Sequence, residues 1–182
     1  MRGIIIATVA AIAASLGGAA FAGYADDRAE IQNLSNRYMM ALDAGDIETV
    51  MSTWAEEGVL DWFFGVEKGK VAIRKAMFEY GAARPVDVPA SATSRARTRH
   101  QITNHVIDVD GDRATMIAYW FALTNKTPQG DVQLQYFGHY EDVLVKRDGK
   151  WLFTSRKVFN ESRDNRAVFY PGLGEKNPRL KK

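Results

Sequence analysis

Residues 99–109 read Arg99-His100-Gln101-Ile102-Thr103-Asn104-His105-Val106-Ile107-Asp108-Val109. Asp110-Gly111-Asp112 follows, then Arg113-Ala114-Thr115-Met116-Ile117-Ala118-Tyr119-Trp120-Phe121-Ala122-Leu123-Thr124. Two long runs of β-branched and aromatic residues flank a tight aspartate–glycine segment, the signature of a β-hairpin. The same grammar repeats downstream. Pro128-Gln129-Gly130 turns into a strand over residues 132–145, and Asp148-Gly149 turns that strand back into residues 151–159. Four long strands joined by short turns form an antiparallel meander, and long twisted strands curl into a sheet with a concave face.

The chain before this meander has a different period. Ile31, Leu34, Tyr38, Ala41 and Leu42 recur at spacings of three and four, an amphipathic helical stripe. Asp26 and Asp27 are candidate N-caps for that helix, and Gly45 is its expected stop. Asp46 caps a second helix with Ile47, Val50, Met51 and Trp54 on its apolar side. Residues 59–64 read as a strand, Gly65 and Gly69 bracket a turn, and residues 71–80 form a third helix with Ile73, Met77 and Tyr80 inward. Residues 81–94, with Pro85 and Pro89, read as a loop. Helices first and antiparallel strands second make an α+β fold, three helices covering a strongly curved sheet around an internal pocket.

The first residues are a leader in pattern. Met1-Arg2-Gly3 precedes an uncharged apolar stretch ending in Ala20-Phe21-Ala22, the small-x-small pattern of a signal-peptidase site. Cleavage is expected after Ala22, with an uncleaved membrane anchor as the alternative. The chain of 182 residues thus divides into a leader at 1–22, a domain at 23–161 and a polar, basic tail at 162–182. The mature protein is then expected in the periplasm or outside the cell, with no membrane attachment once the leader is gone.

Composition narrows the chemistry. A hydrophobic share of 46% argues against disorder, and 24 basic against 22 acidic residues gives no field for nucleic acid. The chain has no cysteine, which removes disulfides, thiolate metal sites and a cysteine nucleophile. The three histidines lack metal-ligand spacing, and Gly172-Leu173-Gly174 does not follow a strand into a helix as a dinucleotide fingerprint must. The expected chemistry uses no metal and no cofactor, only acid–base groups.

Four stretches carry a family resemblance. They are Tyr38-Met39-Met40-Ala41-Leu42-Asp43-Ala44-Gly45-Asp46; Trp54-Ala55-Glu56-Glu57-Gly58-Val59-Leu60-Asp61; His100-Gln101-Ile102-Thr103-Asn104 leading to Ile107-Asp108-Val109-Asp110-Gly111-Asp112; and Gly138-His139-Tyr140-Glu141-Asp142-Val143-Leu144-Val145 with Gly149-Lys150-Trp151. The chain resembles the SnoaL-like polyketide cyclase and dehydratase group of the nuclear-transport-factor-like superfamily. The resemblance implies a cystatin-like, half-open barrel. It leaves the reaction open, because that superfamily holds dehydratases, isomerases, cyclases and non-catalytic binders. Resemblance to its dehydratases implies a tyrosine and an aspartate on the first helix and a histidine on the strand after the long loop, here Tyr38, Asp43 and His100.

Such a trio suits the elimination of water beside a carbonyl. Histidine serves as base, an aspartate fixes its tautomer, and a phenol donates to the developing oxyanion. Positions five apart lie about 140° apart around a helix, so Tyr38 and Asp43 share a cavity only if Asp43 points over the helix end. Each residue also has a structural reading: Tyr38 as core aromatic, Asp43 as turn former, His100 as a strand histidine on the face of Ile102 and Val106. Further substrate-binding candidates are Asn104, which shares the parity of His100; Tyr140; Arg156, either a partner for an acidic group or an exposed sheet residue; and Asp61, a polar residue in an apolar strand. His105 and His139 have the opposite parity and are expected outside. Trp54, Trp62, Phe63, Phe64, Trp120, Phe121, Tyr136 and Phe137 supply either core or the walls of a pocket for a small apolar or aromatic ligand. Two functions therefore compete, a cofactor-independent lyase or isomerase and a non-catalytic small-molecule carrier. Sheets of this kind pair face to face, so a homodimer is an expected assembly.

Overall fold

The computed structural model describes residues 4–82 and 97–162. Within them the order is α1 (Ile4–Ala44), α2 (Ile47–Ser52), β1 (Trp54–Trp62), β2 (Gly65–Lys68), α3 (Lys70–Ala82), β3 (Thr98–Asp110), β4 (Arg113–Thr124), β5 (Gln133–Arg147) and β6 (Lys150–Asn160). Most of the expected loop at 81–94 and all but the first residue of the expected tail lie outside the described residues.

α1 runs without interruption through Asp26 and Asp27, so neither caps it. Asp27 instead accepts from Lys146 Nζ at 2.6 Å and from Trp151 Nε1 at 2.9 Å, pinning the helix to β5 and β6. The stripe reads as expected: Ile31, Leu34, Tyr38 and Ala41 are all buried. The helix ends in a reciprocal pair of bonds, Asp46 N–H to Ala41 O at 2.9 Å and Gly45 N–H to Leu42 O at 3.2 Å. Gly45, at φ +71°, supplies the left-handed residue this termination requires. Asp46 then caps α2, accepting from Thr49 N at 3.0 Å.

The six strands form one mixed sheet in the order β2-β1-β6-β5-β4-β3, not closed into a barrel. β3 to β6 form the expected antiparallel meander, and β1 joins it by parallel pairing with β6. Two elements differ from expectation. β1 begins at Trp54 rather than at Val59 and stops at Trp62, so Trp54 belongs to the strand and not to the apolar side of α2, which ends at Ser52. Gly65-Val66-Glu67-Lys68 is a strand, β2, paired antiparallel with β1 from Val59↔Lys68 to Trp62↔Gly65. Two glycines so close together read as a turn, but the pairing partner lies immediately upstream and the turn is the two-residue Phe63-Phe64 link.

Register shifts interrupt every ladder from β3 to β6, and bulges of this kind bend a sheet. The helices cover its concave face, where Trp54, Phe153, Leu144, Met116, Leu60 and Ile73 form a core from which solvent is excluded. The bulge in β3 matters most. Thr103 faces Tyr119 but Val106 faces Ile117, so β3 carries one extra residue, and Asn104 takes a left-handed φ of +55° there. Upstream, Thr98, His100 and Ile102 are the more buried positions; downstream, His105, Ile107 and Val109 are. Alternation holds on both sides of Asn104, with opposite parity.

Candidate functional site

Between the concave face, α1 and the Trp62-Phe63-Phe64 turn lies a cavity of about 240 Å³. Its polar wall comes from Tyr38 and Asp43 on α1, His100 on β3 and Tyr140 on β5. Trp62, Phe63, Phe64 and Trp120 supply aromatic wall, and Leu60, Met77 and Val158 supply aliphatic wall. Leu42, Thr98 and Lys126 complete it.

The polar groups are fixed in place. His100 Nδ1 lies 2.6 Å from Asp43 Oδ1, and the backbone N–H of His100 donates to Asp43 Oδ2 at 2.8 Å. One carboxylate thus holds both the ring and the strand that carries it. Opposite an ionised Asp43, the neutral His100 ring places its proton on Nδ1 and keeps its lone pair on Nε2. Asp43 occupies the last turn of α1, where the helix dipole disfavours a negative charge, and the two N–H donors from β3 offset that placement. Asp43 reaches β3 from that last turn, and it and Tyr38, five residues earlier, line the same cavity.

The phenols sit on a charged foundation. Arg156 is fully buried and makes a bidentate pair with Asp142, Nε to Oδ1 and Nη2 to Oδ2, both at 2.8 Å. Its guanidinium lies 4.4 Å from the ring centre of Tyr38, 4.3 Å from that of Tyr140 and 4.1 Å from that of Phe153. Burial raises the pKa of both tyrosines, and the positive charge of Arg156 works in the opposite sense. The result is two neutral hydroxyls, able to donate, beside a cation that offsets part of the effect of burial. Burial also raises the pKa of Asp142, against the pull of Arg156. Tyr140 stacks on Trp120 at 5.8 Å and donates its hydroxyl to Met39 Sδ at 3.8 Å.

The structure brings four of the candidate residues together, Tyr38, Asp43, His100 and Tyr140, and sets three apart. Asn104 does not line this cavity. The bulge turns it into a larger, more open groove of about 710 Å³ between α1 and β3, which His105 also lines. Arg156 is neither a surface residue nor a cavity residue; it lies beneath the wall, paired to Asp142. Asp61 stands between Leu60 and Trp62 in β1, and since those two face the cavity, alternation points Asp61 to the other side. His105 and His139 depart from expectation too. The β3 bulge returns His105 to the inner face, where burial holds its pKa below the usual histidine range. His139 is 1% exposed, stacked on Phe159 at 4.4 Å and bonded through Nδ1 to Glu161 at 2.6 Å. Of the aromatic candidates, Trp54 is core and Tyr136 packs against it, while Phe121 and Phe137 take the outer parity of their strands.

Sequence reasoning passed over Asp142 and Lys126. The signal for Asp142 was its inward parity with Tyr140 and Leu144 in β5; Lys126, beside the Pro128-Gln129-Gly130 turn, reads as an ordinary solvated lysine. Among the described residues no cluster of three or more histidine, aspartate or glutamate side chains is placed to hold a metal ion.

Known structures share this architecture. A protein of unknown function from Nostoc punctiforme with a cystatin-like fold is 26% identical, with a TM-score of 0.61 over 74% of this chain and 91% of that one. A protein of unknown function from Mycobacterium tuberculosis is 25% identical, with a TM-score of 0.65 over 78% and 75%. A protein from Catenulispora acidiphila, solved in complex with the small molecule S-DNPA, is 26% identical, with a TM-score of 0.63 over 76% and 96%. No protein of curated function matches the chain. The SnoaL-like domain family matches residues 23–157, from within α1 to within β6, and the chain belongs to that family.

Proposed function

We propose that this chain is a cofactor-independent lyase of the dehydratase type, or an isomerase, acting on a small apolar ring-containing molecule. The observation that carries this reading is the His100–Asp43 pair at 2.6 Å on the wall of an aromatic-lined cavity. In a β-hydroxy ketone, Nε2 of His100 takes the proton α to the carbonyl. The electron pair of that C–H bond moves toward the carbonyl, whose oxygen becomes an enolate held by the Tyr38 hydroxyl. As the enolate collapses, the C–OH bond breaks, and the imidazolium returns its proton to the departing hydroxide, giving an enone and water. Asp43 stabilises the imidazolium between the two steps. An isomerase uses the same base and the same oxyanion donor, returning the proton to carbon.

The direct test incubates the protein with a bicyclic aromatic β-hydroxy ketone and follows the conjugated product by absorbance. Turnover that vanishes in His100→Ala and Asp43→Asn supports the reading. Persistent turnover in both variants would sink it. Recovery of a bound, unaltered ligand by native mass spectrometry, with no turnover by the parent protein, would make the cavity a carrier site instead.

Export belongs to the same proposal. Removal of residues 1–22 leaves α1 starting near Gly23, with Asp26 and Asp27 in its first turn, where the helix dipole favours carboxylates. The N-terminal sequence of protein recovered from the periplasm or medium tests this.

A further inference from the structure

From the charges at the cavity we infer that its ligand is acidic: an aromatic ring system carrying a carboxylate that pairs with Lys126. This rests on the small-molecule reading above and adds the ligand's charge. The argument begins with which charges are already matched. Three ionisable side chains other than tyrosine line the cavity: Asp43, His100 and Lys126. Asp43 has both carboxylate oxygens engaged by His100, Oδ2 by the backbone N–H and Oδ1 by the ring Nδ1. Arg156 lies behind the tyrosines and is matched by Asp142. Lys126 has no counter-ion among the described residues; the bond that places it is from its backbone N–H to Thr124 Oγ1 at 3.1 Å. It is half-buried, not free in solvent.

A cation lining a cavity with no counter-ion of its own is a ready partner for an anionic ligand. Much of the cavity wall is aromatic and aliphatic, so the lysine charge at its edge gains most from an anion carried by the ligand. Its position in the fold says which end of the ligand meets it. Thr98 opens β3 and pairs with Thr124, the last residue of β4. Lys126 follows two residues later, in the connection to β5, so it stands at the strand-end rim of the cavity. The interior beyond, with Trp120, Tyr140, Leu60 and Val158, offers ring faces and aliphatic surface. A ligand matched to this wall puts its rings inside and its carboxylate at the rim.

Isothermal titration of the full protein with naphthoate and with naphthamide, its neutral counterpart of nearly equal size, tests the inference. At low salt the acid should bind about three- to tenfold tighter than the amide, the ratio a single half-buried ion pair supports. Lys126→Met should abolish that preference while leaving amide affinity in place, and Lys126→Arg should keep it. Equal affinity for the two compounds, a preference that survives in Lys126→Met, or no binding of either would overturn it. The readout is binding, so it separates from the catalytic proposal. An acid preference without turnover of the hydroxy ketone leaves this inference standing and removes the lyase. Turnover without an acid preference does the reverse.

Discussion

Asp43 binds His100 twice, its Oδ1 2.6 Å from the ring Nδ1 and its Oδ2 2.8 Å from the backbone N–H of the same residue. The aspartate therefore sets both the tautomer of the ring and the position of the strand beneath it. Asp43→Asn keeps the shape but offers an amide that can donate to Nδ1, which places the ring proton on the wrong nitrogen. Turnover should fall by about a hundred- to ten-thousandfold. His100→Ala should fall as far, and the double variant little further, because the pair acts as a unit. Steady-state kinetics on all three variants checks this.

The Asp142–Arg156 pair predicts an asymmetry in stability. Asp142→Ala strands a buried guanidinium and should cost about 3–5 kcal/mol. Replacing both, Arg156→Met with Asp142→Leu, should recover most of that loss, since well-packed apolar residues replace a buried ion pair at little cost. Urea denaturation measures both. The same double variant removes the cation beside Tyr38 and Tyr140, so its turnover should stay low even where its stability returns.

At Gly138 the limit is space. A Cβ there would fall 1.8 Å from the carbonyl oxygen of Phe159 on β6. Gly138→Ala must push β5 and β6 apart where His139 pairs with Phe159, and should destabilise by about 3 kcal/mol or more. Thermal unfolding provides the check, with Gly111→Ala, whose added Cβ meets nothing within 4 Å, separating this clash from the strain of a positive φ.

Two groups give separable pH dependences. His105 has a lowered pKa because burial disfavours its charged form, with the charge of Arg156 acting in the same direction. The unfolded chain binds this proton first, so stability is full above about pH 6.5 and falls as pH drops through the folded value. His105→Leu should flatten that decline. Asp27 is also lowered: burial works against its charge, but the bonds from Lys146 and Trp151 outweigh it. Its contribution is full above the ordinary aspartate range near pH 4 and is lost below it. Asp27→Ala should cost about 1 kcal/mol at neutral pH and nothing in strong acid. Unfolding free energies measured across the acid range in both variants check the two windows.

The meander was legible because turn chemistry and strand composition are local. Asp110-Gly111-Asp112 and Asp148-Gly149 stand where the strands reverse, and β4 begins and ends at the residues its pattern implies. The helix endings at Gly45 and Asp46 were legible for the same reason. Parity across β3 was not. Alternation counted from His100 predicts Asn104 and Val106 inward, and it fails because Asn104 adopts a left-handed conformation that no count of apolar residues reveals. Arg156 misled for a different reason. Its partner lies on another strand, and only the register Asp142↔Arg156 makes a buried arginine affordable. Asp27 resembles it, reading locally as a cap and serving globally as a tie to residues more than a hundred positions away.

The extra residue in β3 has a consequence for how this protein can change. The strand is two modules out of phase, one serving the cavity through Thr98 and His100, the other the core through Ile107 and Val109. Substitutions in either module leave the other's alignment untouched. Length is another matter: removing Asn104 would merge the modules and turn one of them inside out. Insertions and deletions are thus barred from this strand, while a substitution in one module leaves the other in phase. The ligand wall can diversify without retuning the core behind it.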